Sequence, residues 1–221
     1  MTNLLNDDVR EQVSEAFEQL QEPVQILFFG SKEQCEYCDD TLKLVEEVAG
    51  LSAKLSVQAF DVNVDAAVAE NYNVTLTPGL VIAGEGEDGP IDYGVRYAGI
   101  PSGHEFSSLI QDLLLVSGRD SGLNEQTRDF LSGLKEPVYL QVFVTPTCPY
   151  CPRAVILAHQ MAMESSMVQA EMVEATEFPD LSNQYHIMGV PDTVINHGKA
   201  KMVGAVPEGQ LLAEIMKVTS N

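Results

Sequence analysis

Apolar positions along the chain switch between two periods. Val9, Val13, Phe17 and Leu20 recur three or four residues apart, which places them on one side of an α-helix that Asn6 or Asp7 can cap. Val24 to Gly30 is a short continuous apolar run, the pattern of a strand buried on both faces. Leu42, Val45 and Val48 give an apolar face to a helix expected to start at or near Cys35. Leu55 to Val62 alternates as a strand, Ala66 to Tyr72 suits a short helix, and Gly79 to Ala83 with Tyr93 to Ala98 read as paired strands. A helix from Ser102 to Val116 closes this series, and the polar stretch Gly84 to Pro90 reads as an extended hairpin loop.

The same order then returns. A helix is expected over Asn124 to Leu134, a strand over Val138 to Val144, a helix from Cys148, a strand over Val168 to Glu174, two strands around Val194 and Met202, and a last helix from Pro207. Glu22-Pro23-Val24 opens the first apolar run and Glu136-Pro137-Val138 opens its counterpart. Each run leads into a C-x-x-C, and Cys35 to Pro78 and Cys148 to Pro191 both span 43 positions. Asn71 to Val74 corresponds to Gln184 to Ile187, and Gly99 with Pro101-Ser102-Gly103 corresponds to Gly204 with Pro207-Glu208-Gly209. Two chance motifs do not share such a frame, so the chain is a duplication. The expected units are residues 1–117 and 118–221, with Ser117 to Gly122 as the junction. Strands alternating with helices imply the α/β class, each unit a central mixed sheet flanked by helices.

Composition narrows the classes of function. With 45% hydrophobic residues each half can close a core unaided, which leaves the four cysteines free for chemistry. A formal charge of -21, from 33 acidic and 12 basic residues, argues against nucleic acid and anionic lipid as partners. Such acidity serves solubility, and a high-salt cytosol would screen its self-repulsion. Met1 to Gln12 lacks a basic segment followed by an apolar run, and no stretch reaches the roughly 20 apolar residues of a membrane span, so a cytoplasmic location is expected. In that compartment paired cysteines are more often redox-active or metal-binding than structural.

A C-x-x-C between a buried strand and a helix has a built-in mechanism. Unpaired N–H groups and the helix dipole favour a thiolate on the first sulfur, lowering its pKa from about 8.5 toward a range of about 3.5 to 7.5. The second sulfur, beyond two intervening residues, can resolve a mixed disulfide. Cys35 and Cys148 are thus the expected nucleophiles, with Cys38 and Cys151 resolving. Glu36, Asp39 and Asp40 crowd the first motif with negative charge, whereas Pro149, Pro152 and Arg153 leave the second neutral to positive, so the lower thiol pKa is expected at Cys148.

Strand, C-x-x-C at a helix start, and a downstream proline together resemble the thioredoxin superfamily. Two such units in one chain, the second with Cys148-Pro149-Tyr150-Cys151, look like the protein disulfide oxidoreductases, also called glutaredoxin-like proteins. The resemblance implies two tandem thioredoxin-like folds and a cis proline at Thr77-Pro78 and at Val190-Pro191, where the residue before the proline pairs with substrate. Tyr37 and Tyr150, inside the motifs, are further candidates for substrate contact. It implies no bound cofactor beyond the redox-active disulfides, electrons from a flavin-dependent thioredoxin reductase, and disulfide-containing proteins, including peroxiredoxin, as partners. Two departures stand out. The chain has no Trp, and Phe29 and Val142 occupy the position, six residues before each first cysteine, where that family carries a buried Asp. Proton transfer to the resolving thiol must then use another group or water.

Other readings compete. Four cysteines in two pairs could hold zinc, but the pairs lie 113 residues apart, each inside its own repeat. An iron-sulfur site at Cys148 would need an added thiol. A binding or chaperone module without redox turnover is the alternative from another class, since a fold does not fix a function. His104, His159, His186 and His197 show no ligand spacing and read as surface or helix residues. Met161, Met163 and Met167 read as core or helix fillers, and Arg153 as a solvated helix charge.

Overall fold

The computed structural model describes residues 3–33 and 35–219. The first unit comprises α1 (Asp7–Phe17), β1 (Val24–Gly30), α2 (Cys38–Ala49), β2 (Leu55–Asp61), α3 (Ala66–Asn71), β3 (Gly79–Gly86), β4 (Gly89–Ala98) and α4 (Glu105–Gly118). The second follows with α5 (Glu125–Ser132), β5 (Val138–Val144), α6 (Cys151–Glu164), β6 (Val168–Glu174), α7 (Pro179–Gln184), β7 (Asp192–Ile195), β8 (Ala200–Val203) and α8 (Glu208–Thr219).

Helix starts follow local chemistry. Asn6 Oδ1 accepts the Val9 N–H at 2.9 Å, and Asn124 Oδ1 accepts that of Thr127 at 3.0 Å, so each unit opens with the same side-chain cap. The cysteine helices begin at Cys38 and Cys151 rather than at the first cysteines, which lie in the preceding loop. The expected loop between Gly84 and Pro90 is mostly ladder. β3 and β4 pair down to Gly86 opposite Gly89, leaving Glu87 and Asp88 as the turn, and Gly89 takes a φ of +125°. The repeat also brings the six-residue α7 after β6, in the place of α3.

The eight strands among the described residues form one sheet in the order β2-β1-β3-β4-β6-β5-β7-β8. Each unit contributes four neighbouring strands, and the two sets join where β4 runs parallel to β6, with Val95 opposite Ala170 and Ala98 opposite Val173. Side chains alternate across this sheet. Val138, Leu140, Val142 and Val144 of β5 point into the large core under α1, α2, α4, α5, α6 and α8. Phe143 points the other way, toward α7, and Leu27 and Phe29 of β1 likewise face α3. Six helices therefore cover one face and two short ones the other.

Candidate functional site

Both C-x-x-C pairs are closed as disulfides, Cys35 to Cys38 and Cys148 to Cys151, with Cα atoms 5.5 Å apart in each. The loops that carry them leave β1 and β5 on equivalent paths. Cys38 and Cys151 open their helices and are buried, the latter completely. Cys35 is half-buried, whereas Cys148 retains 8% exposure. Gly30 ends β1 beside the first pair, and a Cβ there would lie 2.6 Å from the Phe28 ring and 3.2 Å from Cys38 Sγ, so a side chain has no room. The Ser31 N–H donates to Cys38 Sγ at 3.4 Å.

Thr77-Pro78 and Val190-Pro191 are both cis peptides. In the second unit the proline loop comes against the cysteines, with Cys148 Sγ 3.8 Å from the Val190 carbonyl oxygen. Each proline carbonyl then holds the glycine that follows its hairpin: Gly99 N–H donates to Pro78 at 2.8 Å, and Gly204 N–H to Pro191 at 2.7 Å. Tyr37 and Tyr150 are exposed at the rims, Tyr150 by 65%. Met188, 94% exposed, stands two residues before Val190, and no periodicity or spacing in the sequence singles it out. The second rim is thus apolar where the first is acidic.

Carboxylates from both units meet near the first pair. Glu177, on the loop between β6 and α7, accepts the Ile100 N–H at 2.7 Å. Burial raises its pKa to about 7, with Glu174 and Glu36 adding to the rise against the lowering effect of that hydrogen bond. The Tyr37 hydroxyl is also raised, first by the charge of Glu36, then by desolvation and by Glu177 and Glu174. Periodicity could not reveal Glu177, because its place depends on which strands meet at the joint.

Phe29 and Val142, six residues before each first cysteine, are fully buried apolar residues. Ionisable groups are also buried at the joint between units. His159 is a helix residue, on α6, but a completely buried one, its Nδ1 2.6 Å from Asp112 Oδ2 on α4 and its Nε2 3.1 Å from the Arg96 carbonyl. The Tyr97 hydroxyl donates to the same Asp112 oxygen. Nearby Glu105, 1% exposed, accepts from the Ser108 hydroxyl at 2.5 Å, and burial raises its pKa to about 7. A histidine that packs two α/β units together carries no spacing signal, so its burial is not legible in the sequence.

A groove of about 680 Å³ contains none of the cysteines. It lies on the sparsely covered sheet face, between the loop after α3 and the β7–β8 turn, with Tyr139, Gln141, Tyr185 and His197 among its walls. No helix is long and apolar enough to cross a membrane among the described residues.

A family model described as "thioredoxin domain" matches residues 23–111 and again 138–217. The chain belongs to the thioredoxin-domain family. Among solved structures, this thioredoxin-domain chain is similar to a protein disulfide oxidoreductase from Aeropyrum pernix, with 30% identity and a TM-score of 0.89 over 97% of this chain and 94% of that one. It is similar also to the NTD_N/C domain of alkylhydroperoxide reductase AhpF from Enterococcus faecalis, with 26% identity and a TM-score of 0.86 over 95% and 99%. Among curated proteins, the F component of the alkyl hydroperoxide reductase of Staphylococcus epidermidis is 28% identical over 188 residues, 85% of this chain and 33% of that protein. The chain spans about a third of the length of the curated relatives it matches. With its two C-x-x-C disulfide pairs, the chain is a thioredoxin-like oxidoreductase.

Proposed function

We propose that the protein exchanges disulfides with other proteins, as the name of its Aeropyrum relative states for that protein. The observation that carries this reading is the doubled geometry: a C-x-x-C disulfide after a buried strand, and a cis proline 43 positions on, twice in one chain. In the reductive direction the thiolate of Cys148 or Cys35 attacks a substrate disulfide, forming a mixed disulfide and releasing one substrate thiolate. Cys151 or Cys38 then attacks the same cysteine sulfur, closing the protein's own disulfide and releasing the second substrate thiolate. Two electrons pass to the substrate, and both leaving thiolates take up protons.

Thr77 and Val190, before the cis prolines, are the backbone positions proposed to pair with substrate; the approach of Cys148 to Val190 supports the second of these. Tyr37 and Tyr150 flank the approach as exposed rings. The matches to alkyl hydroperoxide reductases support redox partners of the peroxiredoxin type, with a thioredoxin reductase-like flavoprotein recharging the disulfides. Unit boundaries near residues 117 and 118 fit the end of α4 at Gly118; residues 1–2, 34 and 220–221 of those units lie outside the described residues.

A non-redox binding role leaves the two paired sulfurs at each site without a purpose. The reading is tested by equilibrating each pair against glutathione buffers with the other pair changed to serine. Two measurable and different potentials are expected, the second pair being the more oxidising. A pair that stays oxidised under every thiol buffer would exclude that site from exchange.

A further inference from the structure

The joint between the units places a residue of the second unit at the first site. Glu177 Oε1 accepts the Ile100 N–H at 2.7 Å, one residue beyond Gly99, whose own N–H is bound to the carbonyl of cis-Pro78. Gly99 has a φ of +94°, and a Cβ on it would lie 2.6 Å from Glu174 Cβ and 2.9 Å from Glu177 Oε1. The end of β6 and the loop after it thus touch the segment after β4 that the carbonyl of cis-Pro78 holds.

The duplication provides an internal control. Gly204 has the same role after cis-Pro191 and the same backbone, φ +92°, yet a Cβ there meets nothing within 4 Å. Among the described residues, no carboxylate takes the corresponding place at the second site. In the first unit the position equivalent to Glu177 is Val64, which is 81% exposed beyond the free edge strand β2. The carboxylate therefore comes to the first site only because β6 joins β4.

We infer that Glu177 is a positioning residue of the first dithiol site, its carboxyl setting from the second unit how readily Cys35 becomes a thiolate. The groups facing it are acidic or phenolic: Glu174 at the end of β6, and Glu36 and Tyr37 in the first motif. None of the ion pairs among the described residues includes Glu177. An anion here opposes a neighbouring thiolate, and neutralising it relieves that opposition. A pKa of about 7 puts this change of charge in the range where thiol exchange operates. The first site thus acquires a pH response that depends on the other unit.

The inference rests on the reading of Cys35 as a redox thiol, and the test separates the two. In the full chain carrying Cys148→Ser and Cys151→Ser, the first pair is reduced and the rate of Cys35 alkylation by iodoacetamide is followed against pH. Glu177→Gln keeps an oxygen acceptor for the Ile100 N–H and removes only the charge. It should lower the Cys35 midpoint by about 0.3 to 1 pH unit and abolish an inflection near pH 7. In the converse background, Cys35→Ser and Cys38→Ser, the same substitution should leave the Cys148 profile unchanged. Identical Cys35 profiles with and without Glu177→Gln, or an equal shift at Cys148, would overturn the inference while leaving the redox reading intact. A first pair that dithiothreitol cannot reduce would overturn both.

Discussion

His159 on α6 and Asp112 on α4 meet 2.6 Å apart with both side chains wholly buried, one from each unit. Both ring nitrogens face oxygens, since Nε2 lies 3.1 Å from the Arg96 carbonyl. Removing one partner strands the other in the core. His159→Leu or Asp112→Leu alone should cost about 3 to 5 kcal/mol in urea unfolding, and the double variant clearly less than the sum. Strict additivity, or single losses below about 1 kcal/mol, would show that the pair does not act as a unit.

Glu105 should give the protein a stability that falls as pH rises. Its carboxyl titrates at about 7 in the folded chain against an ordinary value of 4.5, because burial favours the neutral form. Between those values the unfolded chain has lost the proton that the native chain still binds, so ionisation favours unfolding. The stability is full below about pH 4.5 and is lost by about pH 7, amounting to at most about 3 kcal/mol. Urea midpoints of Glu105→Gln across this window should show a flatter slope than the parent; coincident slopes would contradict the assignment.

The first motif carries Glu36, Asp39 and Asp40, with Glu174 and Glu177 approaching from the other unit, while Pro149, Pro152 and Arg153 surround the second. Ultraviolet thiolate titration of single-site variants should therefore find Cys148 more acidic than Cys35. An equal or reversed order would mean that solvent screens these charges into insignificance.

The charge of -21 predicts a salt response. Self-repulsion among carboxylates weakens once the screening length falls from about 10 Å at 0.1 M to about 3 Å at 1 M. Thermal unfolding midpoints should rise in molar salt, and an unchanged midpoint would detach the acidity from any high-salt adaptation.

Most of the fold is legible because the chain states it twice. Buried strands such as Val24–Gly30 and Val138–Val144 announce themselves as apolar runs, and the equal spacing from cysteine to proline marks both sites in the bare sequence. The two cysteine helices start three residues beyond the first cysteines, since nothing in a C-x-x-C tells which cysteine takes the first helical turn. What the sequence does not show is the β4–β6 joint. His159, Glu105 and Glu177 derive their surroundings from that joint, and contacts between repeats leave no periodicity in either one.

The central claim is that both cysteine pairs exchange disulfides, the second dominating. It is tested most directly by insulin reduction with dithiothreitol, comparing the parent with each pair, and then all four cysteines, changed to serine. Activity should fall more for Cys148→Ser with Cys151→Ser than for Cys35→Ser with Cys38→Ser, and reach background in the fourfold variant. A folded fourfold variant with the parent's activity would contradict the account.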